Sequence, residues 1–235
     1  MKTHIVLVPG FWLGAWAWDA VLPHLQRPDT HVTALTLPGL ESVDSPRNTV
    51  TLDSHVSAIV DAVSRSDERT ILVVHSGAGA SGYAATDRVP DQIARIVYVD
   101  SGPMPEGTAL RPDLAEDAIE VPLPPWAELE ADGSSIEGLD DDALTAFRDR
   151  AVPEPAGAAR DQIVLTDPRR YSVPTTVVCS SYPSDVIKQM ADGGFPIAVE
   201  LAKLPVTYVD LPTGHWPMWS RPKELAETIL DAADA

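Results

Sequence analysis

A single cysteine, Cys179, stands in the 235 residues of this chain. No disulfide can form within it, which suits a reducing compartment such as the cytoplasm. Set in the apolar run 175–180, its thiol is expected to be buried and inert. Basic residues are scarce too: 17 Lys and Arg against 35 Asp and Glu leave a formal charge of −18. That balance argues against nucleic acid or an anionic membrane as partner, and leaves neutral small molecules indifferent. Apolar runs stop short of the roughly eighteen residues that a membrane-spanning helix needs. Met1 leads almost directly into the apolar run 4–8, with no basic flank followed by a signal-like apolar stretch, so no targeting segment is expected. Internal repeats are absent. His4, His24, His31 and His55 show no metal-ligand spacing with Asp, Glu or Cys.

What is present has a rhythm. Runs rich in Val and Ile recur at 4–8, 31–37, 70–74, 94–99, 175–179 and 206–209. Near-continuous apolar strands of this kind are covered on both faces. Between them lie helical patterns. Trp18, Val21, Leu22 and Leu25 share one face, in a helix that Pro23 should bend or shorten. Val56, Ile59, Val60 and Val63 repeat the spacing behind Asp53, a plausible N-cap. Leu225 and Ile229 serve a last helix that Pro222 can start. Alternating strands and helices predict an α/β fold, a doubly wound and mostly parallel six-stranded sheet.

One interval breaks the pattern. Residues 102–173 are rich in Pro, Asp, Glu and Ala, and too long for a simple connection. They are read as a small cap inserted after the strand ending at Asp100, with 1–101 and 174–235 forming the core. A partly disordered acidic loop, with the run Asp140, Asp141 and Asp142, is the alternative.

Residues 71–82 carry the chemistry, and they read two ways. An aliphatic run ends at Ser76 among small residues and opens into a helical stretch, as where a hydrolase lifts its nucleophile from a sheet. Gly77, Gly79 and Gly82 also spell a dinucleotide fingerprint, and Asp100, 18 positions beyond Gly82, stands where a ribose-binding acid would. The fingerprint normally follows a domain's first strand, whereas two strand–helix units precede it here. His75 alternates away from Ser76 along the strand, so a distant base is required. His215, in a loop after the final strand beside Gly214, Trp216 and Trp219, is the best candidate. Gly10 ends the first strand, and the following amide of Phe11, with that of Gly77, offers two donors to a developing oxyanion.

Residues 6–18 (VLVPGFWLGAWAW), His75-Ser76-Gly77 and 214–217 (GHWP) together resemble the α/β-hydrolase family, in particular its compact branch of plant methyl esterases and hydroxynitrile lyases. The likeness runs nearly end to end, without the first two strands of larger members. Pro9 stands where the family usually has His, and Val74 stands two before Ser76 where it usually has a small residue. The resemblance implies a cofactor-free serine hydrolase of a carboxylic ester or lactone of a small, mostly apolar molecule. Its triad would be Ser76, His215 and an acid. For the acid, Asp185 follows the strand 175–179, where the family usually keeps it, but it also reads as a first-turn helix residue behind Ser184. Asp100 follows the strand after Ser76, as in haloalkane dehalogenases and certain lactone hydrolases, and is preferred. Asp210 is expected to be a turn residue. Trp12, Trp126, Trp216 and Met218 are expected to line an apolar pocket. A hydroxynitrile-lyase-like activity, a dinucleotide-dependent oxidoreductase and a non-catalytic binding protein are the alternatives. Oligomeric state cannot be read from the sequence.

Overall fold

The structure, a computed structural model, describes residues 2–235; Met1 lies outside the described residues. Among the described residues eight strands form: β1 (Thr3–Val8), β2 (Thr30–Ala34), β3 (Arg69–His75), β4 (Ile93–Val99), β5 (Glu120–Val121), β6 (Glu154–Pro155), β7 (Thr175–Cys179) and β8 (Val206–Asp210). Six make one parallel sheet in the order β2-β1-β3-β4-β7-β8, while β5 and β6 pair antiparallel on their own. Nine α-helices accompany them among the described residues: α1 (Leu52–Val63), α2 (Ala78–Arg88), α3 (Trp126–Ala131), α4 (Asp141–Arg150), α5 (Ala156–Arg160), α6 (Ser184–Asp192), α7 (Pro196–Leu201), α8 (Pro217–Ser220) and α9 (Pro222–Asp234).

Strand alternation divides the interior into two cores. Val6, Val8, Leu72 and Val74 point to the face covered by Val56 and Ile59 of α1 and Tyr83 of α2. Ile5, Leu7, Ile71 and Val73 point to the face covered by Trp18 and by Leu225 and Ile229 of α9. Each such fully buried aliphatic side chain contributes about 1.5–3 kcal/mol, enough to offset the ordering of its backbone. This is the expected doubly wound sheet.

Local chemistry shifts several boundaries. The face of Trp18, Val21 and Leu25 forms two 3₁₀ turns, Ala15–Trp18 and Leu22–His24, because Pro23 lacks the amide that would continue a helix. Helix α1 is capped by Thr51 rather than Asp53: the Thr51 and Ser54 side chains take each other's backbone amides in a capping box. Strand β2 ends at Ala34 instead of 37, and Thr36 turns its hydroxyl to the Ala15 amide at 2.9 Å.

Within 102–173 the acidic run is used to start α4. The Asp140 side chain accepts the Ala143 amide at 2.8 Å, and Asp141 and Asp142 sit in the first turn, where the helix dipole favours negative charge. Leu129 and Phe147 from this segment join the α9-side core, and Val152 and Ile163 join the other.

Candidate active site

At the carboxyl end of β3 the chain turns sharply into α2. Ser76 takes the left-handed conformation, φ 51°, which costs a non-glycine residue on the order of 1–3 kcal/mol and persists only when the surroundings hold it. Three hydrogen bonds do so. The Ser76 amide donates to Val99 O at 3.2 Å, and its carbonyl accepts from Gly79 N at 3.0 Å and from the Ser101 hydroxyl at 2.5 Å.

The glycines around this turn are used for close approach. A Cβ on Gly10 would lie 2.7 Å from Ser76 Cβ, and one on Gly77 would lie 2.5 Å from the Phe11 ring. One on Gly79 would reach Gly102 O at 2.5 Å. One on Gly82 would lie 2.5 Å from Val74 Cγ1, so the bulk two residues before Ser76 is accommodated by a missing side chain on the facing helix. Gly77, Gly79 and Gly82 thus serve the chain's own packing, which removes the reason to read them as a nucleotide fingerprint.

Ser76, His215 and Asp100 come together. Ser76 Oγ lies 2.7 Å from His215 Nε2, and His215 Nδ1 lies 2.6 Å from Asp100 Oδ2. Asp100, at φ 44°, follows β4. Its carboxylate accepts Ser181 N at 2.9 Å, Ser181 Oγ at 2.6 Å and Ser180 N at 3.3 Å. Burial by itself would raise this carboxyl; the hydrogen bond and charge of His215 and the two Ser181 donors outweigh it and pull it down to about 2. Asp100 is therefore an anion at neutral pH, beside an imidazole.

Asp185, in contrast, is 84 % exposed and pairs with Lys188 across the first turn of α6. Ser184 is the first residue of that helix rather than its cap. Asp210 performs the capping, accepting Ser184 N at 2.7 Å and Ser184 Oγ at 3.0 Å. Lys188 is engaged by Asp185, and Lys203 by Glu200.

His75 turns to the face opposite Val74 and is buried. Burial, then the neighbouring His215, pushes it down to about 3, so it is neutral, and its Nε2–H donates to the His215 carbonyl at 2.8 Å. The His215 loop is also gripped by the segment 135–137: Gly214 N donates to Glu137 O at 3.2 Å and His215 N to Ser135 O at 2.7 Å. Among the described residues no backbone acceptor takes the amides of Phe11 or Gly77. Gly77 precedes α2 without a side-chain cap, so the positive end of the helix dipole faces the same space.

A cavity of about 380 Å³ opens beside Asp100, Ser101 and His215. Its apolar wall comes from β7, α6 and α7: Val177, Ile187, Met190, Phe195, Ile197 and Leu201. No Lys or Arg lines it among the described residues. None of the four residues expected in the pocket lines it. Trp216 and Met218 are buried in the α9-side core, Trp216 edge-on to the His215 ring at 4.9 Å. Trp126 lies against Phe147 at 5.3 Å beneath the Arg148 guanidinium. The indole of Trp12 donates to Val121 O at 2.9 Å. These aromatic rings support the His215 loop and the segment 102–173, while the cavity wall is mostly aliphatic, with Tyr182 and Phe195, and comes largely from helices whose position no local motif announced. Ser101 and Ser181 carry no sequence signal either, because each meets its partner, the Ser76 carbonyl and the Asp100 carboxylate, only through the fold. Cys179 is buried, and burial raises its thiol to about 12, as expected for an inert residue.

A parallel sheet with this strand order, with a Ser, His and Asp gathered at its carboxyl edge, is the construction of an α/β hydrolase. The profile of the alpha/beta hydrolase family matches residues 5–228, and the chain belongs to that family. A pyrethroid hydrolase of Sphingobium wenxiniae is 29 % identical over 250 residues, covering 99 % of this chain and 88 % of that protein. Methylesterase 2 of Arabidopsis thaliana is 34 % identical over 146 residues, 59 % of this chain and 55 % of that protein. A solved methylesterase structure from Arabidopsis shares the fold at a TM-score of 0.74 and 21 % identity, covering 99 % of each chain. The resemblance to plant methyl esterases carried by 6–18, 75–77 and 214–217 is borne out. No helix among the described residues is long and apolar enough to cross a membrane.

Proposed function

We propose that this carboxylic-ester hydrolase works by acyl transfer through Ser76. His215 Nε2 takes the Ser76 proton as Oγ attacks the ester carbonyl, and Asp100 orients and stabilises the resulting imidazolium. The amides of Phe11 and Gly77 meet the charge that develops on the carbonyl oxygen only in the transition state. His215 then returns the proton to the departing alcohol, and a water activated by the same imidazole hydrolyses the acyl-enzyme. The observation that carries this reading is the unbroken chain of contacts, 2.7 Å from Ser76 Oγ to His215 Nε2 and 2.6 Å from His215 Nδ1 to Asp100.

The substrate class follows from the cavity. A mostly apolar wall without basic side chains, on a chain of charge −18, suits an uncharged and mostly apolar ester or lactone. The names of the relatives, a pyrethroid hydrolase and methylesterases, agree with an ester of that character. In this reading residues 102–173 are the cap over the site, and the enzyme needs no metal or organic cofactor.

Replacing Ser76 by Ala tests it. Hydrolysis of p-nitrophenyl butyrate should fall by at least about 10⁴-fold, and the wild type, but not the variant, should gain one covalent adduct from a fluorophosphonate, read by intact-protein mass spectrometry. Turnover by Ser76→Ala close to the wild-type rate rejects the mechanism.

A further inference from the structure

Outside the three residues of the proposed triad, one buried acid stands beside the catalytic loops without a role in proton transfer. Glu154, in β6 of the inserted segment, is 1 % exposed. Its Oε2 accepts the backbone N–H of Trp12 at 3.3 Å. Trp12 directly follows Phe11, whose amide is one of the two proposed oxyanion donors, and holds φ 66°, a conformation a bulky aromatic residue rarely adopts. Every polar group of Trp12 is engaged by the inserted segment. Glu154 takes its amide, Val152 N donates to its carbonyl at 3.0 Å, and its indole donates to Val121 O at 2.9 Å. From the other side, Gly10 abuts Ser76 and Gly77 abuts the Phe11 ring. Only a void of about 10 Å³ remains among Gly10, Phe11, His55, Gly77 and Glu154, too little to let the turn rearrange without opening the core.

We propose that Glu154 is a positioning residue for acyl transfer, fixing the Phe11 amide against the oxyanion by latching the Phe11–Trp12 turn to the inserted β5–β6 pair. The inference rests on the acyl-transfer reading of Ser76 and goes beyond it by giving the insertion a part in transition-state stabilisation.

The charge state suits the task. Burial pushes the Glu154 carboxyl up to about 8, with the Trp12 amide pulling in the opposite direction. His55 of α1 faces it, Nδ1 to Oε1 at 3.9 Å, but burial lowers this imidazole to about 4, and its Nε2–H donates to Pro38 O at 3.0 Å. Between those values both groups are neutral, so the contact is not an ion pair. The remaining charged neighbours are committed elsewhere. Arg47 binds Glu120 and the carbonyls of Pro153, Val43 and Ser42, Glu41 takes the Gly39 amide, and Asp161 takes that of Leu52. A neutral acid holds the turn without repelling an oxyanion nearby. An ionised one adds a buried negative charge on the same side.

The test compares Glu154→Ala and Glu154→Gln with wild type and Ser76→Ala, using p-nitrophenyl butyrate and an alkyl trifluoromethyl ketone as a mimic of the tetrahedral oxyanion. Glu154→Ala should lose about tenfold or more in kcat with KM changed less than about twofold, and should lose ketone affinity in step. Glu154→Gln, whose amide oxygen can still accept the Trp12 N–H, should recover most of kcat at pH 7. Wild-type kcat should decline as pH rises past about 8, and Glu154→Gln should lack that decline. Wild-type kcat in Glu154→Ala, a loss confined to KM, or an unchanged alkaline decline in Glu154→Gln overturns the inference. If Glu154→Ala fails to fold, the alkaline limb of Glu154→Gln decides alone. Ser76→Ala separates the two levels: turnover there removes the acyl-transfer reading itself, whereas an inactive Ser76→Ala beside a fully active Glu154→Ala removes only the role of Glu154.

Discussion

The carboxyl edge of the sheet and the segment 102–173 contribute to the candidate site by different means. Ser76 and Asp100 each follow a strand directly, and both sit at positive φ, held by hydrogen bonds from neighbouring strand ends. Residues 102–173 supply none of the three side chains of the proposed triad. They hold instead the backbones of the two loops that lack a strand of their own at the critical residue: Ser135 and Glu137 grip the His215 loop, and Val121, Val152 and Glu154 grip Trp12. Regular elements aim groups accurately because every residue is fixed by its ladder. Loops have no such ladder, and here the insertion supplies the missing partners.

Predictions that break this comparison start at the sheet. Asp100→Asn keeps the shape but leaves His215 Nδ1 facing an amide, and kcat should fall by on the order of 10³–10⁴. Asp185→Asn, at an exposed pair, should leave esterase kinetics within about twofold. Assaying the two side by side makes the difference the readout, and an equal loss in both would exclude Asp100 as the sole partner of His215.

The grip of the insertion is tested next. A Cβ on Gly214 would lie 2.5 Å from Glu137 O and 2.6 Å from Ser135 O. Gly214→Ala should push 135–137 away, shift His215 and lower kcat by about 10–100-fold, since small misplacements of a catalytic group are amplified in rate. Hydrogen exchange should show faster exchange of the Gly214 and His215 amides. Unchanged rate and exchange would mean that the insertion merely covers the loop.

The smallest expected effect concerns packing behind the elbow. Gly82→Ala drives a methyl into Val74 and should destabilise the fold by about 1–3 kcal/mol in urea unfolding. Val74→Ala in the same chain should relieve part of it, giving a non-additive pair. Additive losses would show that Gly82 and Val74 do not share the space.

Much of this was legible in the residues. The six strand runs, the helix from Pro222, the turn at Ser76 and the His215 loop are local signals, set by periodicity, proline and glycine. The pocket was not. Trp12, Trp126, Trp216 and Met218 looked like lining because large apolar residues near reactive ones often are, yet Trp216 and Met218 had a better burial site against α9. The apolar wall from α6 and α7 has no marker, because Ile187 or Leu201 reads alike in any core. Capping by Asp210 of a helix 26 positions earlier is equally silent until β8 lies beside β7.

The amino-acid sequence alone determined the alternation of strand and helix, the candidate serine and imidazole, and the exclusion of a disulfide, because those depend on residue type and short-range spacing. Tertiary structure decided which aspartate meets His215, which helices wall the cavity, and that a buried glutamate far along the chain holds the turn after β1. Those outcomes depend on distances between segments separated by 80 to 142 positions, which only the packed sheet and its insertion bring within hydrogen-bonding range.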